Sequence, residues 1–287
     1  KINRSALISA ALLHFSAAAA GFIASKAVVL GNILPFGLSF LAGSSLTYTP
    51  AAAIGVFIGY FIPAVGSGGF RYVAAAFAIV AIKLLLGGFK KLSSNPVFLS
   101  FMTLLASFLT SAVTLSGLNF NFLSALAESL LAAGGAFFIC RSFATFKNAA
   151  AGLESDELVS LFVLIAIMMI GINGFRFNGI SLGHITAIAV ILTAAKYGGV
   201  PSGAICGTAT AFAMSLSGMS GEISVAYAFI GLMAGIFSSF GKYVQVSVPL
   251  IVGLLGSLIS KDPILISQTV VETALGSALF LTVPRKA

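Results

Sequence analysis

Charge is what this chain has least of: Asp, Glu, Lys and Arg make up 8% of 287 residues, against 59% apolar residues. Mean hydropathy is +1.12. So little charge excludes a water-soluble domain, because a globular fold needs a polar skin around its core. The solvent for this sequence must be lipid. Nearly every residue lies in or beside a membrane span, which leaves no room here for a soluble catalytic domain. Cysteine is scarce as well. Cys140 and Cys206 lie in apolar surroundings and read as small buried hydrophobes, not as a disulfide or a metal pair. No nucleophile stands beside a base, no aspartates are paired, and no nucleotide fingerprint occurs. The stretches Gly66–Gly69 and Ser217–Gly221 lack the Lys-Ser/Thr that a phosphate loop requires, so they read as turns. No enzyme, cofactor site or metal site is visible in these residues.

What is present is a series of long apolar runs such as Leu158–Ile172. A lipid-exposed backbone must satisfy its own hydrogen bonds, which allows helices or a closed barrel. A barrel would alternate polar and apolar residues; unbroken runs select helices. A crossing takes about 20 residues for roughly 30 Å of hydrocarbon. Apolar segments run over 5–28, 33–47, 50–64, 70–88, 96–115 and 120–142, then 157–174, 180–196, 199–217, 223–240, 243–260 and 264–283. The first could mimic a signal peptide, but its length and the spans that follow make it a first helix. The chain begins at Lys1 without Met, which reads as a fragment. Segments 33–47 and 50–64 are short and punctuated by Pro35, Pro50 and Pro63, so they read as a re-entrant or broken pair. The polar stretch Lys147–Glu157 divides the chain into a first half, 1–150, and a second half, 151–287. The expected fold is all-α and polytopic, with about ten transmembrane helices plus the short pair.

The net charge of +8 is no nucleic-acid footprint, because the basic residues sit singly at span ends. With the amino end inside, Lys1, Arg4, Lys90, Lys91, Arg141, Lys147, Lys196, Lys242, Arg285 and Lys286 fall on the inner side. Only Lys26, Arg71, Arg176 and Lys261 fall outside, and this bias of ten to four places both termini in the cytoplasm. The halves also resemble each other. A shift of 151 carries Pro50 onto Pro201, Ala53 onto Ala204, Phe89 onto Phe240 and Lys91 onto Lys242. A shift of 144 carries Glu128-Ser129 onto Glu272-Thr273 and Arg141 onto Arg285. With an even number of segments per half, the two pseudo-repeats would be parallel.

Charges inside spans are the candidates for chemistry, since each costs about 2.5–3.5 kcal/mol at mid-helix. Lys83 lies within the fourth segment; either its stem snorkels toward Lys90 and Lys91, or it pairs with Glu128 or Glu272. Each glutamate precedes the arginine of its own helix by thirteen residues, about 20 Å of axis, so no local salt bridge forms. Such carboxylates could hydrogen-bond between helices, bind a cation, relay protons or lie at the outer surface. His14 and His184 have no ligand-spaced neighbours and read as polar contacts between helices. Gly55 with Gly59, Gly203 with Gly207, and Gly231 with Gly235 have the spacing that lets helix backbones approach closely.

Several short motifs recur together in one family. They are Leu34-Pro35-Phe36, Glu154-Ser155-Asp156-Glu157-Leu158, Gly203-Ala204-Ile205-Cys206-Gly207 and Gly231-Leu232-Met233-Ala234-Gly235. To these is added Glu272 leading into Leu279-Phe280-Leu281-Thr282-Val283-Pro284. In this order the chain resembles, over essentially its whole length, the membrane-embedded amino-terminal region of the stage II sporulation protein E family of endospore-forming bacteria. The resemblance implies about ten crossings, then a cytoplasmic linker and a PP2C-type serine/threonine phosphatase. That domain would carry a divalent metal, Mn or Mg, and dephosphorylate an anti-anti-sigma factor to release a forespore sigma factor. Its residues are absent here, so no catalytic residue carries over. The membrane region would target the polar division septum, self-associate, and connect to a tubulin-like cell-division protein. The cytoplasmic carboxyl end inferred from charge is what a cytosolic phosphatase requires. Rival expectations from the residues are a secondary transporter or small-solute permease with parallel repeats, and a plain hydrophobic scaffold.

Overall fold

The computed structural model describes residues 4–31, 33–61, 69–115, 121–148, 155–219, 221–259 and 263–283. Among them the regular structure is almost entirely helical. The exception is a two-residue strand pair, Arg176–Phe177 against Ile180–Ser181, closed by Asn178 and Gly179 at φ 51° and 85°. An Asn-Gly turn with both residues left-handed matches the twist of a tight hairpin. The fold is therefore all-α.

The helices are α1 (Arg4–Ser25), α2 (Phe36–Gly43), α3 (Thr49–Phe61), α4 (Phe70–Leu85), α5 (Lys90–Ser93) and α6 (Pro96–Leu115). They continue with α7 (Phe122–Asn148), α8 (Ser155–Asn173), α9 (Leu182–Leu216), α10 (Gly221–Ile236), α11 (Lys242–Ile259) and α12 (Pro263–Thr282). Local chemistry sets several of these starts. Asn95 Oδ1 accepts from the Val97 and Phe98 N–H groups ahead of α6, and Asn121 Oδ1 does the same for Leu123 and Ser124 in α7. Pro96 and Pro263 stand first in their helices, where a missing N–H costs nothing.

Seven stretches among the described residues are long and apolar enough to cross a bilayer: Ile8–Ser25, Phe70–Gly88, Pro96–Thr114, Phe122–Ala144, Leu182–Leu216, Lys242–Ile259 and Pro263–Thr282. Thr49–Phe61, Val159–Asn173 and Ser224–Phe240 are shorter apolar helices. At about 1.5 Å per residue, α9 would be roughly 50 Å long, well beyond the hydrocarbon. It breaks at Gly199 (φ 65°, ψ −153°), two residues before Pro201. Two arms result, 182–198 and 200–216, close to the apolar segments 180–196 and 199–217. Large apolar side chains that face outward, such as Leu85, Val113 and Phe15, have lipid as their natural solvent. This is a membrane protein.

Contacts divide the chain into one unit of Lys1–Val28 with Asn32–Met168 and another of Val29–Gly31 with Met169–Ala287. The division falls inside α8. Residues 149–154 of the expected hinge, Pro63, Gly66–Gly68 of the expected turn, and Arg285 lie outside the described residues.

In the first unit, α2 is wholly buried from Phe36 to Gly43. It runs parallel to α4 and α7: its start lies near Tyr72 and its end near Lys83, Ile139 and Cys140. α3 packs on α1 so closely that a Cβ at Gly55 would overlap the Ala18 carbonyl, and one at Gly59 the Ser25 hydroxyl. Ser39 Oγ donates to the Ala132 carbonyl (2.7 Å) and Ser100 Oγ to that of Ala133 (2.8 Å), tying α2 and α6 to α7.

In the second unit, the first arm of α9 runs parallel to α12, with Gly276 against Ile185 and Ile188. α11 lies antiparallel to α12, Gly253 meeting Thr273 and Thr269. The second arm of α9 packs antiparallel on α10 through Gly203, Gly207, Gly231 and Gly235. The same shift of 151 carries α4, Phe70–Leu85, onto α10, Gly221–Ile236.

Candidate functional site

The buried charged residues Lys83, Glu128 and Glu272 stand by the ends of α2 and the start of the first arm of α9. Lys83 is 1% exposed, and its ammonium donates to the carbonyls of Leu41 (3.0 Å), Ala42 (3.1 Å) and Ser44. The last carbonyls of a helix have no partner within it and carry the negative end of its dipole. Lys83 caps α2. It neither snorkels toward Lys90 and Lys91 nor pairs with Glu128 or Glu272, because α2 ends inside the protein and its carbonyls can reach neither water nor another turn.

The opposite end of α2 is held by tyrosines. The Tyr60 hydroxyl accepts from the Leu38 N–H (3.1 Å) and donates to the Leu34 carbonyl (2.8 Å), while Tyr72 accepts from the Leu34 N–H (3.1 Å). The two rings stack with centroids 5.2 Å apart. Behind them Glu128, 1% exposed, lies 3.1 Å from Arg71 Nη2. The contact is electrostatic: among the described residues, no hydrogen bond of good angle reaches either carboxylate oxygen. Arg71 also donates to the Tyr72 hydroxyl at 2.7 Å and sits over its ring. The sequence assigns Arg71 to the outer side, at the start of the segment 70–88, and names no partner for it; its partner Glu128 lies on another helix, 57 residues on.

The second unit repeats the theme with different partners. Glu272 on α12 accepts from the Ser181 N–H (2.7 Å) and lies 2.6 Å from His184 Nδ1. Ser181 is the N-cap of α9, and its hydroxyl accepts from the Gly183 N–H and donates to Asn173 Oδ1 at 2.6 Å. A carboxylate beside the first turn of a helix faces the positive end of the dipole. Glu128 and Glu272 thus each stand at the amino end of the short or broken helix of their own unit. His14, in contrast, is exposed and makes an edge contact with Tyr48 at 5.2 Å. Cys140 and Cys206 are buried and free. Among the described residues no cluster of His, Cys, Asp and Glu has the makings of a metal site.

These arrangements orient helices: each buried carboxylate has a cation or a helix N-terminus facing it, and side chains meet both ends of α2 and the start of α9. They define a polytopic helical membrane domain that contains one short buried helix, α2, and one broken helix, α9. The chain belongs to the family of SpoIIE N-terminal domains, whose model matches residues 3–287. Stage II sporulation protein E of Bacillus subtilis (strain 168) is 25% identical over 288 residues, an alignment covering 92% of this chain and 33% of that protein. The chain therefore spans about a third of the length of this curated relative, and the part it matches is the non-catalytic N-terminal domain. No solved structure matches it.

Proposed function

We propose that this chain is the membrane anchor of a sporulation protein, with about ten crossings, the α2–α3 pair as an incomplete hairpin, and both termini cytoplasmic. It holds a cytoplasmic PP2C-type phosphatase at the polar septum, where dephosphorylation of an anti-anti-sigma factor activates a forespore sigma factor. Self-association and contact with the tubulin-like division protein raise local concentration without any new catalytic contact. The observation that carries this reading is a chain made almost wholly of membrane helices that matches only an N-terminal domain of a much longer relative. The charge bias of ten basic residues to four supports the orientation. The test is membrane-impermeant labelling of single cysteines at Arg176 and at Ala287. Labelling of the first from outside and protection of the second is expected; exterior labelling of Ala287 sinks the anchor reading. Replacing Glu128 and Glu272 together by Gln should disturb assembly or septal foci.

A secondary transporter is the second reading. It is favoured by α2, an eight-residue helix wholly buried in the first unit, since short or discontinuous helices line transport sites. Solute uptake into vesicles, lost in a Glu272→Gln variant, would select it.

A further inference from the structure

The second unit contains a cavity of about 210 Å³, with several polar side chains in its wall, that the anchoring role leaves unused. Its walls include Asn173, Arg176, Ser181, His184, Gln268 and Glu272, gathered from the end of α8, the hairpin, the start of α9 and the first half of α12. A water occupies about 30 Å³ of liquid, so this volume suits a molecule of roughly five to seven non-hydrogen atoms.

The hydrogen-bonding capacity of the wall is unevenly spent. Glu272 is engaged on both oxygens, by the Ser181 N–H and by His184 Nδ1. Asn173 is engaged by Ser181 and donates to Ser217. Three groups remain. His184 Nε2 is buried with no hydrogen-bond partner. The guanidinium of Arg176, on the exposed hairpin, has no ion pair among the described residues. The Gln268 amide lies against Gly179. With Nδ1 held against a carboxylate, the imidazole ring is fixed in orientation and Nε2 is its unpaired nitrogen.

We infer that this cavity binds a small, singly charged organic carboxylate, held by Arg176 and Gln268 with the His184 ring beside it in the wall. The guanidinium fork fits a planar carboxylate with two parallel hydrogen bonds. Glu272 in the same wall repels a second negative charge, which disfavours phosphate. On the orientation proposed above the cavity opens away from the cytoplasm, so the ligand is extracellular or lies in the space between septal membranes.

The chain has only two histidines, so His14→Gln leaves His184 as the single imidazole signal. The full chain in nanodiscs is titrated with sodium acetate and sodium butyrate at constant ionic strength, and with sodium chloride and inorganic phosphate, while the His184 nitrogen resonances are followed. A saturable shift of Nε2 with the carboxylates is expected. Arg176→Gln should weaken it about tenfold or more, the loss expected for one bidentate charged contact, with an unchanged circular dichroism spectrum. Gln268→Ala should weaken it less. No saturable shift, an equal response to chloride or phosphate, or unchanged affinity in Arg176→Gln each overturns the assignment. None of these results bears on where the termini lie, so the anchor reading stands or falls separately.

Discussion

Replacing Lys83 by Met removes the hydrogen bonds to three carbonyls, a longer one to Ser44 Oγ and a charge, while keeping an unbranched side chain one atom shorter. The carbonyls of Leu41, Ala42 and Ser44 would remain buried with that donor gone. At about 1–3 kcal/mol for each stranded acceptor, the gross loss is about 3–9 kcal/mol. Sparing the ammonium its desolvation returns several kcal/mol of that, so the net destabilisation is about 2–4 kcal/mol. The folding equilibrium would fall roughly 30- to 700-fold. The chain has no tryptophan, so the assay is far-UV circular dichroism during titration of mixed micelles with a denaturing detergent. Amide exchange along Phe36–Gly43 should accelerate before the global transition, because α2 loses its cap first. A snorkelling lysine gives the opposite sign: removing its charge would ease insertion by about 2.5–3.5 kcal/mol. A Lys83→Met protein as stable as the parent, or more so, would refute the capping role.

Other consequences follow from the same packing. Arg71→Met strands the Glu128 carboxylate and should cost about 3–5 kcal/mol, whereas Arg71→Met with Glu128→Leu should cost much less than the sum of the single changes. A double-mutant cycle in the same detergent titration measures that coupling, and strict additivity would deny the pair. Gly55→Ala forces α1 and α3 apart against a backbone carbonyl and should lose about 1–3 kcal/mol, while Gly134→Ala, with open space around it, should stay within about 0.5 kcal/mol. Cys140 and Cys206 should resist maleimide in native micelles and react only across the unfolding transition, read by mass spectrometry.

How much of this was legible beforehand varies by residue, for physical reasons. The start of α9 at Leu182 and its break at Gly199 follow from apolar runs and from Gly198-Gly199-Val200-Pro201, because a left-handed glycine and a proline act on their own neighbours. The shortness of α2 and α3 was announced by Pro35 and Pro50. The partner of Lys83 was not legible. It is backbone, 39 to 42 residues away in sequence, and carbonyls have no identity in a one-letter code. His184 read as a polar interhelical contact, and it makes one, but nothing local pointed to Glu272, 88 residues away. The glycine pairs read as close-approach positions without naming the surface approached: Gly55 and Gly59 meet α1, whereas Gly203 and Gly207 meet α10.

The sequence by itself determined the solvent, the helical class and the places where helices are interrupted. Each of these is dictated by composition and by residues acting within a few positions of themselves: lipid demands apolar runs with internally satisfied backbones. Only the tertiary structure decided which buried charge answers which. That pairing is set where α2 ends against Lys83, where Arg71 meets Glu128, and where Ser181 and His184 meet Glu272. Electrostatic complementarity is a property of distance in space, and helices tens of residues apart in the chain acquire that distance only when they pack.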